Sequence, residues 1–114
     1  MSNLIAAWAL AAIIAGEAPG CPIEAKYAVA HVAQRNPVWY GNAEPTAEDI
    51  FVALTWDQVP DPTEGALFLI GPGDAAKMSF LGERTGRWQC NGTWLESYLG
   101  DTEGWLSMPM EASP

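Results

Sequence analysis

Glu17 is the residue of this chain whose surroundings most need a chemical explanation. It follows an unbroken apolar run from Leu4 to Ala15 and stands two positions before Pro19, so it falls near the end of a helix. A carboxylate at a helix C-terminus opposes the macrodipole, and apolar neighbours penalise its charge. Both effects favour the protonated form, which suits a general acid working near neutrality. The same position also fits an exposed glutamate at a frayed helix end. Asp61 and Thr63 lie in the turn-rich stretch VPDPTEG at 59–65. There they can line a groove, or they can cap their own backbone. Tyr27, Trp39, Tyr40, Trp94 and Tyr98 carry flat faces on which a ligand can stack, although such rings more often build cores. Six tryptophans in 114 residues is a high count, and Trp39 and Tyr40 fall in a loop. His31, mid-helix between apolar neighbours, reads as a satisfied core histidine.

The balance of charge removes several classes of function. Fourteen acidic residues against five basic ones give a formal charge of -9. Phosphates of nucleic acid would be repelled, and so would anionic lipid. A zinc site takes three or four ligands, and one histidine with two cysteines is a poor supply. No metal and no cofactor is therefore expected, and a zinc amidase ranks low. Cys21 and Cys90 stand far apart in sequence. Paired, they would stabilise by about 4 kcal/mol in the chain-entropy model and imply an oxidising compartment. Unpaired, they would be two separate buried thiols. Both readings stay open.

The elements that must position these groups follow from the patterning. With 49% hydrophobic residues and 114 in all, the chain makes one domain with a real core. Residues 3–17 form a helix, apolar almost all round and so buried on several sides, and Pro19 stops it. The apolar run is too short to span a bilayer. No Lys or Arg precedes it, so it reads as a buried helix and not as a secretory signal. A soluble monomer is expected.

A second helix covers 23–35, with stripes of Ile23, Tyr27 and Ala30 and of Ala25, Val29 and Val32. Glu24, Lys26 and Arg35 face solvent. Thr46 caps a third helix, with Glu48 and Asp49 in its first turn and Ile50, Phe51 and Leu54 as its apolar face; it ends by Asp57. A short strand at 66–70 and a short helix from Asp74 through Leu81 come next. Strands at 86–90 and 93–98 are joined by the Asn91-Gly92 turn. Helices first and strands later make the class α+β. Residues 100–114 form a loosely held tail.

Residues 16–22 read GEAPGCP. This resembles the GEARGEP signature of the bacterial cell wall hydrolase family, which includes SleB-type spore-cortex lytic enzymes. The helix EAKYAVAHVAQRN is similar to the family's EGQVAVAAVVLNR, with Glu24, Ala28, Val29, Ala30 and Val32 in common. DPTEGA at 61–66 resembles DPTGGA, and ALFLIGP resembles ALYFYNP. These segments run in the family's order from residue 4 to about 73, and NGTWLESY resembles its final strand.

The resemblance implies a compact lysozyme-like α+β domain over 1–99, with three main helices and then a small antiparallel sheet. It implies cleavage of the peptidoglycan glycan strand by lytic transglycosylation, outside the cytoplasm or after phage release. The family's single catalytic glutamate falls on Glu17, and Asp61, Thr63, Tyr27, Trp39, Tyr40 and Tyr98 become substrate-binding candidates. Near the end of the second helix, where the family carries Asn, Gln34 offers an amide one carbon longer. Two departures flank the glutamate: Pro19 replaces the family's Arg, and Cys21 replaces its second acid. A catalytically silent wall-binding or structural domain with the same fold is the alternative that these departures favour. The charge of -9 also sits awkwardly with an anionic wall, although high salt would screen the repulsion.

Overall fold

A computed structural model describes residues 4–36, 40–71 and 81–100. Helices α1 (Leu4–Glu17), α2 (Ile23–Arg35) and α3 (Ala47–Thr55) come first, and α3 runs into a single 3-10 turn at Trp56–Gln58. Strands β1 (Phe68–Ile70), β2 (Arg84–Cys90) and β3 (Thr93–Tyr98) follow. They form one antiparallel sheet in the order β1-β3-β2. This is the α+β arrangement that the element order predicts. Trp39, the helix expected from Asp74 and the tail from residue 101 lie outside the described residues.

Ala7, Leu10, Ala11 and Ile14 recur at helical spacing and form the buried stripe of α1, which Ala18 continues just past its end. One stripe is buried where several were expected. Ala6, Trp8 and Ala9 on the other side are exposed, Trp8 at 57%. The reason is that α2 and α3 both pack on the alanine-rich side. Helix α2 is the central element, and Ala25, Ala28, Val29, Ala30 and Val32 bury it against α1 and α3. Ile23, expected inside, is exposed in the first turn of α2 beside Pro22. Trp88, Cys90 and Leu95 close the core from the sheet.

The rotation of α3 differs from the expected one for an electrostatic reason. Thr46 caps the helix as expected. Its Oγ1 accepts the Asp49 N–H at 3.2 Å, and Asp49 Oδ2 accepts the Thr46 N–H at 2.8 Å. The other Asp49 oxygen lies 2.9 Å from Lys26 Nζ, which is also 2.8 Å from Glu48 Oε1. Lys26, expected in solvent, is therefore buried between two carboxylates of α3. Turning Asp49 toward α2 carries Val52 and Ala53 inward, three and four residues on. Phe51 and Leu54, expected as the apolar face, are left exposed.

Cys21 and Cys90 are joined in a disulfide, which settles the choice left open by the sequence. The bond fastens the β2–β3 hairpin to the loop between α1 and α2. Beside it the Asn91 N–H donates to the Gly20 carbonyl at 3.2 Å. Gly20 has φ +71°, and a Cβ there would meet the Asn91 Cβ at 2.7 Å. Only glycine satisfies both demands.

Candidate functional site

Glu17 ends α1 exactly where Pro19 forces the chain out of the helix. The loop at 41–43 crosses this helix end at close range. A Cβ on Gly16 would stand 2.5 Å from the Asn42 backbone, so the crossing requires glycine at 16. The Ala43 N–H donates to the Ala12 carbonyl at 3.0 Å, and the Gly41 N–H donates to Glu17 Oε2 at 2.6 Å. The carboxyl group is thus half-buried and oriented by a short, charge-assisted bond. Among the described residues no Lys or Arg lies in ion-pair contact with it. Gly16→Ala should push the loop away, cost about 1–3 kcal/mol by overpacking, and free the Glu17 carboxylate from Gly41. Urea unfolding checks the first effect; an unchanged midpoint would show that the crossing is not tight.

A groove of about 440 Å³ opens beside Glu17. Gly16, Glu17, Pro19 and Cys21 line it from the end of α1 and the loop that follows, and Leu69 to Gly71, Cys90 and Thr93 to Leu95 line it from the sheet. Its volume falls within the range of small-ligand sites, about 300–1,000 Å³. The disulfide lies along it, and Trp94 supplies an aromatic wall. Glu17 is the one acid among the described residues lining it.

Of the other predicted site residues, Tyr40 is the one close to Glu17. Burial and then the Glu17 charge push its phenol up to about 12, against the opposing charge of Arg35. Tyr40 therefore stays protonated, and its hydroxyl donates to the Asn36 carbonyl.

Asp61 and Thr63 do not join the Glu17 groove; they make a closed turn. Asp61 Oδ1 accepts from the Thr63 N–H and hydroxyl at 2.8 and 2.7 Å, and Oδ2 accepts from the Gly65 N–H at 3.0 Å. Arg35, exposed as expected, also ties this turn to α2. It pairs with Asp61 at 2.7 Å and donates to Thr63 Oγ1 and the Ala66 carbonyl. Thr63 is fully buried, so it has no surface to offer a substrate. Glu64 in this turn takes the left-handed φ of +56°.

Tyr27 and Asp61 line a separate concavity of about 400 Å³, and the Tyr27 hydroxyl is bonded to Thr55 Oγ1 at 2.6 Å. Gln34 is exposed at the end of α2 and borders neither cavity. Tyr98 is half-buried and donates to Glu96 Oε1 at 2.8 Å. His31 bonds the Val59 carbonyl at 3.0 Å and meets the Trp56 ring edge-on, in keeping with a structural histidine.

Two carboxyls should dominate the acid limb of stability. Burial opposes the charge of Asp49 and Asp61, but their hydrogen bonds and cations outweigh it and hold both below the ordinary aspartate value. A lowered folded pKa stabilises above the unfolded value and is lost as pH falls through the folded one. Urea unfolding should therefore show stability level above about pH 5 and falling below about pH 4, near the unfolded aspartate pKa. A flat profile to pH 2 would contradict this.

Sequence reasoning passed over three participants. The Gly41 amide is backbone and leaves no side-chain signature. Arg87 and Glu96 are cross-strand partners in the hairpin, and counting back from Asn91-Gly92 pairs them directly. Among the described residues no three His, Cys, Asp or Glu side chains converge as a metal site would need, and no helix is long and apolar enough to cross a membrane. No family model, no curated protein and no solved structure matches the chain.

Proposed function

We propose that the chain cleaves the glycan strand of peptidoglycan as a lytic transglycosylase of the cell wall hydrolase type, with Glu17 as acid and then base. The observation that carries the reading is one carboxyl group, oriented by a backbone amide, on the edge of a sugar-sized groove. With Oε2 accepting from Gly41, Oε1 is the oxygen left to exchange a proton with the substrate. Glu17 protonates the leaving glycosidic oxygen. The 6-hydroxyl of the same sugar attacks the anomeric carbon, the carboxylate takes the hydroxyl proton, and a 1,6-anhydro ring closes.

Ordinary glycosidases need two carboxyl groups. An intramolecular nucleophile needs only one, and it benefits from high effective molarity. The single acid among the described groove residues fits the one-carboxyl route. Two further features support the resemblance. Gly16 is demanded by the loop crossing. Glu64, where the family motif has glycine, takes a left-handed φ. The disulfide suits an oxidising compartment, as action on a wall would require.

One observation favours the silent wall-binding reading. Where the family has a second acid, Cys21 is consumed by the disulfide. Incubation with a suspension of purified peptidoglycan separates the two. An enzyme clears the suspension and releases soluble fragments. Binding without release would mark a silent module.

A further inference from the structure

We propose that Arg87 sets the specificity of the Glu17 groove by recognising a carboxylate carried on the glycan where the strand passes Trp94. The inference rests on reading this groove as a glycan site. Trp94 is part of the groove wall, and the Arg87 guanidinium lies over its ring, 3.8 Å from the centroid. Arg87 Nε is 3.2 Å from Glu96 Oε2, and Arg84 Nη1 is 2.9 Å from the same oxygen. Tyr98 donates to the other oxygen of Glu96. Glu96 is buried, whereas the two arginine side chains are about half exposed.

Two guanidinium groups thus share one carboxylate, and the cluster keeps one net positive charge. The other described cations are matched: Lys26 lies between Glu48 and Asp49, and Arg35 pairs with Asp61. Among the described residues of a chain of charge -9, this surplus of positive charge lies against Trp94, a residue of the groove wall. The long-range field of the protein repels an anionic polymer, so capture needs a cation at contact range. Arg87 is held for this task. Stacking on Trp94 and the contact of Nε with Glu96 hold the guanidinium, and its two terminal amino groups are not engaged by Glu96, so they can serve a planar, two-oxygen acceptor. On peptidoglycan such carboxylates come from the lactyl group of the muramic sugar or from its stem peptide.

Binding to the Glu17→Gln protein, which is not expected to turn over, tests the assignment by calorimetry. The probes are a neutral chito-oligosaccharide, glycan strands stripped of peptide that keep lactyl carboxylates, and peptide-bearing strands. At least one carboxylate-bearing strand should bind about tenfold or more tightly than the neutral sugar, the difference expected of one good charged contact, about 1.4 kcal/mol. Which strand gains identifies the lactyl or the stem-peptide source. Adding Arg87→Gln should erase the gain and leave the neutral sugar unaffected; Arg87→Lys should restore it in part. Equal affinity for neutral and acidic glycans would overturn the assignment while leaving the glycan site standing, and this comparison needs no Arg87 variant to fold. An equal loss for every ligand in Arg87→Gln would also overturn it. No binding of any glycan would remove the site and the inference together.

Discussion

Glu17→Gln should slow peptidoglycan cleavage by about two to four orders of magnitude, the range that a positioned general acid contributes. The substitution keeps the shape of the side chain, and its amide oxygen can still accept from the Gly41 N–H that docks the loop on α1. Folding and the groove should therefore survive, and the unfolding midpoint should move little. What is lost is the ability to give a proton to the leaving oxygen and take one from the 6-hydroxyl. The rate of clearing, measured beside a thermal melt of the same sample, keeps the two effects apart. Wild-type clearing by a folded Glu17→Gln protein would remove Glu17 from the chemistry.

Breaking the Cys21–Cys90 bond should lower stability by about 4 kcal/mol. The bond spans a sequence separation of 69, and closing a loop of that length removes much entropy from the unfolded chain. In a domain of this size the loss corresponds to a fall in Tm on the order of 20 °C. The local structure adds a second consequence. Between the hairpin turn and the loop at 18–22, the bond from Asn91 to Gly20 is the backbone link that remains. Both cysteines line the groove, so reduction should loosen the wall facing Glu17 before the core melts. Melts with and without a thiol reductant, repeated on Cys21→Ser/Cys90→Ser, measure the first effect. An unchanged Tm in both would mean that the hairpin is held by packing alone.

Much of the frame was legible because its signals are local. Pro19 ends α1, Thr46 caps α3, and Asn91-Gly92 joins β2 to β3, each through the backbone chemistry of one or two residues. The facing of α3 was not legible. Its sequence offers two apolar sides, and the choice between them comes from an ion pair with Lys26 on another helix. The same gap hid the burial of Lys26 and the ion pair of Arg35, whose partners are distant in sequence. At the site, the end of the helix marked Glu17, and Gly16 proved to be there for the loop that crosses it. Asp61 and Thr63 were ambiguous because an Asp-Pro-Thr turn and a groove lining use the same residues; both bond within the turn, away from the Glu17 groove, and Asp61 also borders the second concavity. The Gly41 amide could not have been found, since any non-proline residue supplies an N–H.

The mass of the fragments released from purified peptidoglycan tests the central claim most directly. A glycan end closed on its own 6-hydroxyl weighs one water less than a hydrolysed end. Fragments with that deficit, present with the wild-type chain and missing with Glu17→Gln, are the predicted result. Fragments that have gained water, or none at all, would contradict it.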